Sequence, residues 1–286
     1  MNSPYGTSAG PARQSRKPAC RRLPLAILFS CWAVAALCGC ATTGPQGQQS
    51  FVLISTEQEV RIGAGVDQSI RQEFKVLADP KLDTYINQVG ERVAVHADRK
   101  DVAYTFTVLN DDVVNAFAAP GGYIYITTGL LKAAHNEAEI AAVLGHEIGH
   151  VVGRHSVRKL QTAYGVGLAT DLILGDRQTL QAIIGIATQV VLLKNSRDDE
   201  FEADEFGIKY AVAAGYDPQA MLSFFQTLLQ LQGSASPSGL AGWFSTHPAT
   251  EDRIQRGEDL LPGYRSPGQH LEIGQARFLE ATASLR

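Results

Sequence analysis

Five consecutive residues constrain this chain more than any other feature: His146-Glu147-Ile148-Gly149-His150. Ala141-Ala142-Val143-Leu144 precede them and Val151-Val152 follow, so the helix that carries them is buried. Two imidazoles and a carboxylate inside a fold need partners there, because burying polar groups unpaired is costly. Four residues along an α-helix advance about 6 Å and return to nearly the same face. Both imidazoles can therefore converge on one zinc ion. Glu147 lies about 100° round the helix, too far to be a natural third ligand. It is placed instead to contact a water held by the metal, as the general base of a metalloprotease does.

A catalytic zinc site takes three protein ligands and keeps one position open. Thiolates are excluded from the body, since the four cysteines are Cys20, Cys31, Cys38 and Cys40. The third ligand is sought in a second strong helix, Ser196-Arg197-Asp198-Asp199-Glu200-Phe201-Glu202-Ala203-Asp204. Glu200 and Asp204 share a face, so one can ligate while the other orients an imidazole through its second ring nitrogen. Spacing alone leaves Glu200 and Glu202 undecided. His155 is set aside, because five residues past His150 is about 500° round a continuous helix. His96, His135 and His270 have no metal spacing and are read as structural or solvated.

Taken together, Gly145–His150, then Ser196-Arg197-x-x-Glu200-x-x-Ala203-Asp204, then Thr246-His247-Pro248 with Arg253-Ile254, resemble the metallopeptidase family of HtpX, BepA, the Oma proteases and the Ste-type CAAX proteases. Asn115-Ala116-Phe117-Ala118-Ala119-Pro120-Gly121-Gly122-Tyr123 resembles that family's edge strand and turn. The resemblance runs from about Thr56 to about Pro262, with the motifs in the family's order. It implies a zincin-type (gluzincin) domain holding one Zn2+ per subunit on His146, His150 and Glu200, with Glu147 as catalytic base and Asp204 bracing the site. It also implies that His247 approaches the zinc, either stabilising the oxyanion or filling the open position and holding the enzyme silent. Arg253 would position that loop or the substrate. The substrate would lie extended along Asn115, Ala116, Phe117 and Ala118, on an edge strand facing the cleft. The compact, repeat-free layout is closest to small periplasmic lipoprotein members of the family.

The residues themselves point to an α+β, mostly helical fold with a small sheet. Ser55 or Thr56 opens a helix expected to reach about Leu77. Asp79-Pro80 breaks it, and Leu82, Ile86, Val89 and Val93 follow at helical spacing. Val102 to Val108 alternates as a half-buried strand; Val113–Ala118 and Tyr123–Thr127 are extended runs on either side of a Pro-Gly-Gly turn. Further helices are expected over 137–151, 163–174, 179–193, 197–213 and about 218–232. The two very apolar ones, 163–174 and 179–193, are too short to span a bilayer unaided and are expected to pack on the core.

The N-terminus reads as an address. Five basic groups precede the apolar run 23–37, which ends in small residues, the layout of a signal peptide. Leu37-Cys38-Gly39-Cys40 resembles the bacterial lipoprotein processing signal, with Cys40 the lipidated first residue of the mature chain. Ala41 after it implies outer-membrane sorting. The expected organisation is a leader over 1–39, a lipidated N-terminus and flexible tether over 40–54, a peptidase domain over 55–265 and an extension over 266–286. Without the leader, 20 basic side chains face 29 acidic ones, a balance that excludes a nucleic-acid binder. The expected function is an endopeptidase for misfolded or misassembled proteins of the bacterial envelope. The alternative is a chaperone or assembly factor whose proteolysis His247 suppresses.

Overall fold

The structure, a computed structural model, describes residues 1, 40–42, 44, 49–165, 167–233, 241–247, 251–265 and 268–286. Apart from Met1, the leader read over 1–39 lies outside the described residues, as does Pro248. Within the segment read as a tether, strand β1 (Cys40–Thr42) pairs antiparallel with β2 (Gln49–Phe51).

Helix α1 (Thr56–Glu73) starts where Ser55 and Gln58 satisfy each other's backbone N–H groups in a reciprocal cap. It buries Ile62, Val66 and Ile70 and stops at Glu73, short of the expected Leu77. The next residues leave the helix because they join the sheet: Val76 bridges to Leu109 and the Leu77 N–H donates to the Val108 carbonyl. Asp79 caps and Pro80 opens helix α2 (Pro80–Ala94), since proline at a first turn gives up no hydrogen bond.

The sheet holds β3 (Thr105–Leu109), β4 (Ala116–Ala119) and β5 (Tyr123–Thr127) in the order β3-β5-β4. β5 runs parallel to β3 and antiparallel to β4, so β4 is an edge. The first two strands begin three residues later than their sequence pattern suggests, and Asn115 precedes β4. The tight turn before β5 demands glycine: Gly122 has φ 96°, and a Cβ there would fall 2.2 Å from the Ala103 carbonyl oxygen.

The sheet lies between two apolar clusters. Ala116, Ala118, Ile124 and Ile126 face one, with α2 and the later helices α4 and α8. Phe117, Ala119 and Tyr125 face the other, with α1, α5 and α7. After β5 come α3 (Thr128–Ala133), α4 (Glu137–Val152), α5 (His155–Tyr164), α6 (Leu168–Leu174), α7 (Arg177–Val191) and α8 (Arg197–Ala213). The helix expected over 163–174 is broken at Gly165, whose φ of 86° no helix accommodates. Helix α7 buries Ile183, Ala187 and Val191 in the second cluster.

The chain finishes with α9 (Gln219–Gly233), α10 (Ala241–Thr246), α11 (Glu251–Tyr264) and α12 (Gln275–Ala281). Helix α12 buries Phe278 in the first cluster, and Arg277 pairs with Glu137 in the first turn of α4. Among the described residues no helix is long and apolar enough to cross a membrane.

Candidate metal and catalytic centre

Helices α4 and α8 cross at very short range because small residues line the crossing. A Cβ on Gly149 would fall 2.9 Å from Phe206 Cβ and 3.0 Å from Ala203 Cα. A Cβ on Gly207 would fall 3.1 Å from the His146 backbone nitrogen. Asn136 caps α4, and Ser196 with Asp199 forms a reciprocal cap on α8, so both helices start at fixed points. This approach carries the α8 carboxylates to the α4 imidazoles.

Four buried side chains converge: His146, His150, Glu200 and His247. His146 Nε2 lies 3.0 Å from His150 Nε2 and 3.2 Å from His247 Nδ1. Glu200 Oε1 is 3.3 Å from His150 Nε2 and 2.9 Å from His247 Nδ1, while its Oε2 is 3.6 Å from His146 Nε2. Tetrahedral zinc with bonds of about 2.0–2.1 Å holds its donors about 3.3 Å apart, so the set has the right span.

The hydrogen bonds settle what these atoms offer. His146 Nδ1 sits 2.9 Å from Asp204 Oδ1, an acceptor only, so Nδ1 carries the proton and Nε2 presents a lone pair. Burial pushes the His150 imidazole well below its usual range, which keeps it neutral. Lone pairs of two imidazoles and a carboxylate thus point at one spot, an arrangement that a cation stabilises. The donor set fits zinc.

Arg253 comes from α11 and is itself buried. It grips Glu200 Oε2 at 2.7 Å through Nη1 and both Asp204 oxygens at 2.6 and 2.7 Å. These contacts hold the two α8 carboxylates together. Burial pushes the Asp204 carboxyl up, but the Arg253 guanidinium outweighs it and holds the group below its usual range. Burial likewise raises the Glu200 carboxyl, and His247 with Arg253 override it and hold it well below the usual range.

Glu147 is fully buried, and neither carboxylate oxygen has a hydrogen-bond partner among the described residues. Its nearest charged neighbour is His247, whose Nε2 is 3.5 Å from Oε1. Burial pushes the Glu147 carboxyl up, against the pull of His247 and His146. A carboxyl raised in this way moves towards the range where a general base works best.

His247 follows α10 and is sandwiched between the cluster and the sheet. Its Nε2 donates to the Ala116 carbonyl at 3.2 Å. The ladder hydrogen bond from Thr127 N–H to the Asn115 carbonyl fixes the alternation, leaving the backbone groups of Ala116 and Ala118 turned away from β5. His247 therefore takes one outward carbonyl of β4, and Ser156 Oγ takes the other, on Ala118, at 3.0 Å. Burial lowers the His247 imidazole, but Glu200 and Glu147 outweigh it and hold it above its usual value.

Two residues at the centre escape the sequence reading. Asn195 Nδ2 donates to Glu200 Oε1 at 2.7 Å. Its only sequence signal is its place just before the Ser196 cap. His155 Nδ1 meets His150 Nδ1 at 2.5 Å. Helix α4 stops at Val152, and Arg154 adopts a left-handed backbone with φ 52°, so the continuous-helix rotation used to set His155 aside does not apply.

The model of the family described as Peptidase family M48 matches residues 80–260. The chain belongs to peptidase family M48. M48 members are zinc metallopeptidases, in agreement with the donor set. Among similar M48 proteins is the beta-barrel assembly-enhancing protease of Escherichia coli strain K12, 29% identical over 83% of this chain and 52% of the relative. Metalloprotease YcaL of the same strain is 32% identical over 52% of this chain and 58% of that protein. The mitochondrial metalloendopeptidase OMA1 of Arabidopsis thaliana is 30% identical over 65% of this chain and 38% of its own length. The chain spans about half the length of the beta-barrel assembly-enhancing protease.

Proposed function

We propose that this chain is a zinc-dependent endopeptidase that clears misfolded or misassembled proteins of a bacterial envelope, held at the membrane by lipid on Cys40. The observation that carries the reading is Glu147: a fully buried carboxylate without hydrogen-bond partners, beside a His-His-Glu donor set.

His146, His150 and Glu200 would hold the zinc ion. Bound there, zinc supplies a Lewis acid and lowers the pKa of water towards neutrality. Glu147 takes the proton from the attacking water and passes it to the leaving amine. Asp204 keeps the His146 proton on Nδ1, and Arg253 neutralises the two carboxylates behind the donors. An extended substrate adds to the free edge of β4, which reads backbone rather than side chains. It must take over the carbonyls of Ala116 and Ala118, so His247 and Ser156 both give up those bonds as substrate enters. The substrate class rests on the names of relatives, and the envelope setting on the leader and Cys40.

A second reading has one observation in its favour. His247 lies within the donor set and closes it with a fourth donor, an imidazole nitrogen. A protein kept in that state would bind unfolded clients without cutting them.

The test is hydrolysis of casein and of an unfolded outer-membrane protein by wild type, Glu147→Gln and His247→Ala. Glu147→Gln retains stoichiometric zinc and loses at least about 100-fold in kcat. His247→Ala cleaves faster than wild type. Zinc-loaded wild type and His247→Ala that both fail to cut would sink the peptidase reading and leave the client-binding one. Attachment is tested separately: labelled palmitate enters the wild-type chain and not Cys40→Ala. Equal labelling of both would remove the anchor from the proposal.

A further inference from the structure

His146 has an evident brace in Asp204. The partner of His150 is unusual, because it is another imidazole. His155 is 1% exposed, and its Nδ1 lies 2.5 Å from His150 Nδ1. Two ring nitrogens that close share a single proton: two protons or two lone pairs would repel. His150 Nε2 is among the zinc donors, so it needs its lone pair, and the shared proton belongs to His150 Nδ1. His155 Nδ1 then accepts, and its own proton sits on Nε2. That nitrogen lies 3.4 Å from Glu202 Oε2 and 3.6 Å from Asp199 Oδ1, both on α8, within ion-pair range but without the geometry of a hydrogen bond. Arg158 pairs with the same carboxylates from the far side.

The backbone is shaped for this contact. The left-handed turn at Arg154 folds the chain back after α4, which brings His155 to His150. Arg154 is held in that conformation by Glu59, with contacts of 2.6 and 2.9 Å, and by the Ile54 carbonyl at 3.1 Å. Gly153 makes room for the ring: a Cβ there would fall 2.2 Å from His155 Nε2.

We propose that His155 is the positioning residue for His150, accepting the His150 Nδ1 proton, with the carboxylates of Glu202 and Asp199 beside its other nitrogen. The proposal rests on the reading of His150 as a zinc ligand. It makes the two imidazole ligands depend on different supports, a carboxylate–arginine pair for His146 and an imidazole–carboxylate chain for His150.

The experiment measures zinc affinity by chelator competition and thermal stability in the zinc-free state for wild type, His155→Leu, His155→Asn, Glu202→Gln and Gly153→Ala. Removing a group that orients a metal ligand weakens binding about 10–100-fold. His155→Leu and Gly153→Ala show that loss, and Glu202→Gln shows a smaller one. His155→Asn, whose amide oxygen can accept the same proton, stays within a few-fold of wild type. Unchanged affinity in His155→Leu overturns the proposal, as does a loss in His155→Asn equal to that in leucine. A loss of zinc-free stability in every variant, with zinc affinity untouched, assigns His155 to packing alone and also overturns it. Two zinc ions per wild-type chain, one lost in Glu202→Gln, would assign His155, Asp199 and Glu202 to a second metal instead. Failure of wild type to bind zinc at all would refute the ligand reading itself and is seen before any variant is compared. Should His155→Leu not fold, Glu202→Gln and Gly153→Ala carry the test.

Discussion

Arg253 shows how much of the centre depends on one side chain that touches no donor nitrogen. It is 2% exposed and lies against Glu200 and Asp204, both buried. Replacing it with methionine keeps volume and removes the only guanidinium shown on that pair among the described residues. Breaking a buried ion pair from one side costs about 3–5 kcal/mol. Arg253→Met is expected to lose stability on that scale in urea denaturation of the zinc-free protein. A loss under 1 kcal/mol would show that the carboxylates are neutralised by other means. The convergence of His146, His150 and Glu200 is legible in sequence because spacing on two helices encodes it, with the resemblance deciding between Glu200 and Glu202. Arg253 is legible as a residue of interest but not in its role, since no local pattern links it to a helix 49 residues earlier. Asn195 and His155 are illegible for a related reason: Asn195 lies just before α8 and His155 opens α5 after a left-handed residue, where backbone turns rather than periodicity set direction.

At the scale of elements, the crossing of α4 and α8 sets the position of every donor but His247. Gly149 lies on α4 one residue before His150, and Ala203 lies on α8 one before Asp204. Gly149→Ala forces the helices apart or strains Phe206, at about 1–3 kcal/mol. Because ligands ride on both helices, zinc affinity is expected to fall as well, measured by the same chelator competition. Wild-type stability and affinity in Gly149→Ala would show that the crossing has slack. The small residues are visible in the sequence, but which helices they join is not. Elements are legible where caps and period agree, as at Ser55, Asp79-Pro80 and Ser196. They are misjudged where a tertiary contact takes over, as when Val76 leaves its helix for the sheet. The break at Gly165 shows the converse, a local backbone demand inside an unbroken apolar pattern.

For the molecule as a whole, the buried tyrosines fix an alkaline limit. Tyr125, Tyr210 and Tyr216 donate to Asp67, Asp98 and Glu137. Burial raises each phenol above its usual value, and the adjacent carboxylate adds to the effect. A group raised in the folded state contributes stability that is intact below its unfolded pKa of about 10 and lost as pH rises beyond it. The melting temperature is expected to hold between pH 8 and 9.5 and to fall steadily by pH 11, with phenolate absorbance at 295 nm appearing together with unfolding. Phenolate absorbance rising ahead of unfolding would show these groups to be free to ionise in the native fold.

The distribution of the centre along the chain also sets a clock. His146 leaves the ribosome 101 residues before His247. At about 5–20 residues per second, that interval is roughly 5–20 s. Through it, the growing polypeptide has its paired imidazoles but neither the arginine that neutralises Glu200 and Asp204 nor the histidine that covers the fourth position. Both arrive together, within the span 247–253. A copy that stops short of this span therefore lacks the guanidinium that pairs with Glu200 and Asp204, and its centre is incomplete.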